Sequence, residues 1–226
     1  MKQTLPHMLQ KSIYGIIFAL FAIPILILIF NMQAGPGLYS NVFILTREIS
    51  ILLLTLLFLY WMIRIEKQPL SSIGLHNRHW GKSVLLAIIG LFACFVVGGL
   101  VLFIFNKAGV EFGQGKEAER FSAISPAVIF LMVLRAGLVE EVFYRGYLME
   151  RLEKISGKWI VYFLFPLIFF ALWHYRQGLP GIIISFSLGT VLAFMYWKKR
   201  DLKANFMTHF LADFIPNLLL PLFSNG

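Results

Sequence analysis

Residues 126–149 read PAVIFLMVLRAGLVEEVFYRGYLM. The stretch is close to the ~20 apolar residues that cross a bilayer as a helix. Yet it carries Glu140 and Glu141 side by side, with Arg145 four residues after the second. Adjacent carboxylates at membrane depth are costly enough that an ionisable residue there is a functional-site hypothesis by default. Three further polar residues point the same way: His174, late in the next apolar segment, and His209 with Asp213 in the last one.

The rest of the chain makes membrane depth the right frame. Of 226 residues, 59% are hydrophobic and 14% charged, with 23 Phe, and a soluble domain of this size carries more charge. Apolar segments run over about residues 13–30, 42–63, 83–105, 126–149, 158–174, 180–197 and 204–222. The fold expected is an all-α polytopic transmembrane bundle of about seven spans, within a range of six to eight. The first segment is too long for a signal-peptide core and lacks a small-residue cleavage site, so it is expected to remain as an anchor. The single cysteine, Cys94, rules out an internal disulfide. With no soluble domain, low-complexity tract or repeat evident, function is expected inside the bundle.

The net charge of +9 invites a nucleic-acid reading, but the basic residues sit in short loops between apolar runs. Lys2 and Lys11 precede the first segment; Arg64, Lys67, Arg78 and Lys82 follow the second; Arg151, Lys154 and Lys158 follow the fourth; Lys198, Lys199, Arg200 and Lys203 follow the sixth. The alternate loops hold Lys107, Lys116, Arg120 and Arg176, one of them with Glu111, Glu117 and Glu119. The positive-inside rule then places the N-terminus in the cytoplasm and, after seven crossings, the C-terminus outside. The charge orients the protein in a lipid bilayer, the cell membrane being the expected one. No nucleic-acid partner is expected.

Helical spacing places the polar groups on faces. Glu141 and Arg145, four apart, can form an intrahelical ion pair, leaving Glu140 about a third of a turn round and free to face something else. Phe170 and His174 share the spacing, as do His209 and Asp213. Counting from the cytoplasmic ends puts Glu140 roughly 10 Å and His209 roughly 8 Å deep at the helical rise, but His174 roughly 24 Å deep if its helix began at the surface. The fifth helix is therefore expected to be short or tilted, with its HYRQGLPG exit buried in protein. Arg47 and Arg135 are expected to snorkel or pair. His7, His76 and His79 are expected in solvated loops.

Glu140-Glu141-x-x-x-Arg145, then Phe170-x-x-x-His174, then His209-x-x-x-Asp213, in order on successive apolar segments, resembles the CPBP family of intramembrane proteases, the CAAX-protease and bacteriocin-processing group also called Abi. The likeness covers about residues 120–222. It divides the chain into N-terminal helices and loops (1–120) and a CPBP-like catalytic core (121–226), within one integral membrane domain. The resemblance implies a catalytic cavity inside the bundle. It also implies that Glu140 and His174 activate water, while His209 and Asp213 stabilise the oxyanion. Glu141, Arg145, Phe170 and Asn217 would support them. A prenylated CAAX tail, another peptide or a membrane protein would be the substrate.

The chemistry fits these residue types. Peptide hydrolysis needs a base for water, a stabiliser for the oxyanion and a proton for the leaving amine. Glu140 with His174 can supply the first and His209 the second. Cys94 lies on a segment without catalytic partners and Ser185 and Ser187 have no adjacent His, so direct attack by water is preferred over an acyl-enzyme. One departure matters: CAAX-cleaving members carry Asn where this chain has Asp213, and an ionised Asp cannot donate to an oxyanion. Asp213 is then a protonated acid, a partner that orients His209, or a metal ligand. Glu140, His174, His209 and Asp213 make a plausible zinc set, although HExxH is absent and no cofactor is favoured. The rival functions are a bacteriocin-immunity or scaffold protein without catalysis and, less favoured, a proton-coupled transporter, which usually shows matching halves.

Overall fold

The computed structural model describes residues 5–33, 40–77, 79–110 and 124–221, with side chains from residue 9. Lys2, Arg78, the charged loop with Glu111, Lys116, Glu117, Glu119 and Arg120, and the end of the last apolar segment lie outside what is described. His7, expected in a loop, instead falls in the first turn of the first helix, because that helix begins at Leu5, ahead of the apolar run. Among the described residues the fold is all helical. The long helices are α1 (Leu5–Gln33), α2 (Asn41–Arg64), α3 (Trp80–Lys107), α4 (126–156), α5 (Ile160–Leu172), α6 (Gly178–Lys199) and α7 (Leu202–Phe214), the last continuing through Ile215–Leu219. Each coincides with an apolar segment of the sequence.

Four of these are long and apolar enough to cross a membrane by length and composition: Leu9–Gln33, Asn41–Arg64, Trp80–Lys107 and Tyr175–Lys199. The three that fall short are α4, α5 and α7. α4 carries the paired carboxylates and α7 carries His209 and Asp213, which lower the mean hydropathy, whereas α5 is apolar but short, and His174 lies two residues beyond its end. Large apolar side chains such as Ile17, Leu53, Leu57, Ile88, Phe92 and Phe103 point outward from α1, α2 and α3. That is the arrangement of helices whose surroundings are as apolar as their core.

Local chemistry sets the helix ends. Ser40 caps α2, its hydroxyl accepting from the Phe43 N–H at 3.3 Å, and Asp201 caps α7 through the Ala204 N–H at 3.2 Å. The other Asp201 oxygen accepts from the Ser83 hydroxyl at 2.7 Å, which ties the start of α7 to α3. Gly157, with φ of 61°, ends α4 in the left-handed conformation that glycine tolerates best.

The core is aromatic. Phe58 of α2 contacts Phe18 at 5.0 Å, Phe143 at 4.9 Å and Tyr147 at 4.8 Å between ring centroids, joining α1, α2 and α4. Buried charge joins the same elements. Arg151 of α4 binds both oxygens of Glu66 at 2.8 and 3.2 Å, and Ser12 of α1 donates to Glu66 at 3.0 Å.

Two further expectations are corrected. The segment 126–149 is not one continuous α-helix: it is α-helical to Glu140 and widens into a π-helix over Glu141–Met149, all nine residues of which are buried. Nor is the HYRQGLPG exit buried in protein. The fifth helix is short as expected, but Tyr175 and Leu179 are 54% and 68% exposed and the neighbouring Arg176 and Gln177 are exposed too, because the chain turns through a short 3-10 segment at Tyr175–Gln177 on the outside of the bundle.

Candidate active site

The site forms where α4 changes pitch. At the end of its α-helical part the Glu140 carboxylate is one-fifth exposed, and one residue later Glu141 is fully buried. Glu141 is saturated. One oxygen accepts from Arg145 at 2.9 Å and from His209 Nδ1 at 2.8 Å; the other accepts from the Asn205 amide at 2.9 Å. Arg145 in turn donates to the Gly189 carbonyl of α6 at 3.2 Å. Glu140 has only long contacts, 3.4 Å from one oxygen to Arg135 and 3.8 Å from the other to His209 Nε2. A π-helix inside an α-helix costs hydrogen-bond geometry and is found frequently at functional sites.

The two histidines are held by their Nδ1 atoms. In His209 this nitrogen donates to Glu141, so Nε2 faces Glu140 and Asp213, the latter at 3.5 Å. Glu141 and Asp213 thus grip the ring from its two nitrogens. In His174, at the end of α5, Nδ1 lies 2.9 Å from the Phe170 carbonyl. A carbonyl can only accept, so Nδ1 carries a proton, and Nε2 is the nitrogen left for the cavity.

Phe170 stands between the two imidazoles, with its centroid 4.9 Å from that of His174 and 6.3 Å from that of His209. The Arg145 guanidinium lies over it at 4.4 Å, a cation–π contact. This one ring therefore spaces the histidines and links them to the Glu141–Arg145 pair.

Glu140, His174, His209 and Asp213 line one cavity of about 660 Å³ between α3, α4, α6 and α7, with Phe170 and Asn217 on its wall. The Asn217 amide donates to the Asp213 backbone carbonyl at 2.8 Å, which holds that last turn together. Cys94 and Ser185 also reach this cavity. The sequence had set Cys94 on a segment without catalytic partners; packing of α3 against α7 brings it to the same chamber, with no hydrogen bond to either histidine. A second cavity of about 450 Å³, under α1, shares Glu140, His174, Phe170 and Arg135 with the first.

Among the described residues no three His, Cys, Asp or Glu side chains are grouped so as to hold a metal ion. As arranged, the described residues do not form a zinc site.

Sequence reasoning missed Glu48. It lies in α2, fully buried, and binds Arg135 at 2.5 Å and Arg47 at 2.7 Å, so both arginines are paired. In the sequence it sits next to Arg47 near the start of an apolar run and reads as an interfacial charge. Asn205 was also missed, although Asn205, His209, Asp213 and Asn217 form one four-residue stripe that signals it.

Residues 122–215 match the family model described as type II CAAX prenyl endopeptidase Rce1-like. The match contains all three motifs, and the resemblance to the CPBP proteases holds for this segment. No curated protein and no solved structure matches the chain.

Proposed function

We propose that this chain, whose residues 122–215 carry an Rce1-like domain, is an intramembrane endopeptidase in which Glu140 activates water. The cavity shared by Glu140, His174, His209 and Asp213 is the observation that supports the reading. A water between Glu140 and His174 Nε2 attacks the peptide carbonyl carbon and gives its proton to the Glu140 carboxylate. As the carbonyl oxygen becomes an oxyanion, His209, protonated on both nitrogens, keeps Nδ1–H on Glu141 and turns Nε2–H to the oxyanion. Collapse of the tetrahedral intermediate breaks the C–N bond, and Glu140 returns the proton to the leaving amine. Asp213 faces the same side of His209 and orients it.

The substrate is a peptide or membrane-protein segment that enters from the bilayer, with a prenylated CAAX-type tail as the first candidate. The protein crosses the cell membrane seven times with its N-terminus in the cytoplasm, a topology that the placement of its basic loops supports. The test is purified full-length protein in detergent, offered a panel of quenched-fluorescent peptides that includes a farnesylated CAAX peptide. Cleavage by the wild type, abolished in folded Glu140→Gln, is expected. A folded wild type that cleaves nothing would favour an immunity or scaffold role, and a fully active Glu140→Gln would remove Glu140 as the base.

A further inference from the structure

Arg135 lines both cavities beside Glu140, and its contacts run in series. Its Nε donates to one Glu48 oxygen at 2.5 Å and its Nη1 reaches a Glu140 oxygen at 3.4 Å, while the other Glu48 oxygen takes Arg47 at 2.7 Å. A guanidinium is a rigid planar fork, so fixing Nε on Glu48 fixes the direction in which Nη1 points. Fully buried, Glu48 cannot turn to water. We propose that Arg135, anchored by Glu48 of α2, is a positioning residue that holds the Glu140 carboxylate toward the cavity. This rests on the assignment of Glu140 as the base.

The geometry separates this role from that of a plain interhelical ion pair. A strut between α2 and α4 needs only the Glu48 contact, whereas Arg135 also meets Glu140 at the cavity. The long contact also has a use. It steers one Glu140 oxygen and leaves the other facing His209, whereas a closer two-toothed pair would occupy both. Removing the Glu48 charge frees Arg135 to close on Glu140 in that way. The anchor lies outside residues 122–215, so the N-terminal helices contribute to the site from beyond the matched segment.

The experiment uses the full chain and the peptide that the wild type cleaves, with kcat, KM and melting temperature measured for Glu48→Gln, Arg135→Gln, Arg135→Lys and the double variant Glu48→Gln/Arg135→Gln. Displacing a catalytic group by about 1 Å costs on the order of 10²-fold, so Glu48→Gln and Arg135→Gln should lose about that in kcat with KM within about twofold. Arg135→Lys, which keeps the charge but not the fork, should recover part of the loss. If the single variants do not fold, the double variant, which removes both members of the Glu48–Arg135 pair together, carries the test. None of these changes should deepen the defect of Glu140→Gln. A folded Arg135→Gln or double variant with wild-type kcat overturns the positioning role while leaving Glu140 in place. A folded wild type without activity overturns both.

Discussion

At the residue scale the two adjacent glutamates have different surroundings. Glu141 has hydrogen-bonding partners on both oxygens, whereas Glu140 is partly open to the cavity and meets Arg135 and His209 at 3.4 and 3.8 Å. Glu140→Gln should therefore lower kcat by about 10²–10⁴-fold, the usual contribution of a general base, with no change in melting temperature. Glu141→Gln leaves Arg145 and His209 without their carboxylate, and breaking a buried charge pair costs about 3–5 kcal/mol. Its thermal unfolding and membrane accumulation should both fall; a Glu141→Gln protein as stable as wild type would contradict the structural role. Asp213 separates the metal-free reaction from a zinc reaction. With Asp213→Asn the amide can still donate toward the oxyanion, so most activity should persist and a strong chelator should do little. Collapse of that variant, partial return on adding zinc, and stoichiometric metal in the active wild type would reverse the assignment.

At the element scale the site depends on how closely α4 and α7 approach. Gly137 lies one turn before Glu140, and a Cβ there would stand 3.1 Å from the Phe210 backbone nitrogen and 3.2 Å from its Cα. Backbone cannot swing aside as a side-chain tip can, so Gly137→Ala should push α7 away. Small residues at helix contacts in membranes permit this approach. Overpacking costs about 1–3 kcal/mol, and the same shift would move His209 relative to Glu140. The variant should show a lower melting temperature together with a loss in kcat. Wild-type values for both would mean that the contact is slack.

At the scale of the whole molecule, α1 and α2 are built into the site's frame. Glu48 and Glu66 of the N-terminal half neutralise Arg135 and Arg151 of α4, and α1 roofs the second cavity. The orientation proposed from charge can be tested in Cys94→Ser protein bearing one new cysteine at exposed Lys158, before α5, or exposed Gln177, after it. A membrane-impermeant maleimide should reach Lys158→Cys only from the cytoplasmic side and Gln177→Cys only from the opposite side. The reverse pattern would invert the topology.

The sequence by itself determined the all-helical class, the seven apolar segments, the pairing of Glu141 with Arg145 and the order of the three motifs. These follow from composition and spacing along one helix, which are local properties. Tertiary structure decided what no local property encodes. The π-helix at Glu141–Met149 breaks the 3.6-residue period on which spacing arguments rest. Glu48 acquired its meaning only when α2 met α4 and put a fully buried carboxylate against Arg135. Cys94 reached the chamber only through the packing of α3 on α7. The different setting of Glu140 and Glu141 was visible as a difference in facing, but its cause is the docking of α7, which occupies the oxygens of Glu141 with His209 and Asn205 and leaves those of Glu140 to the cavity.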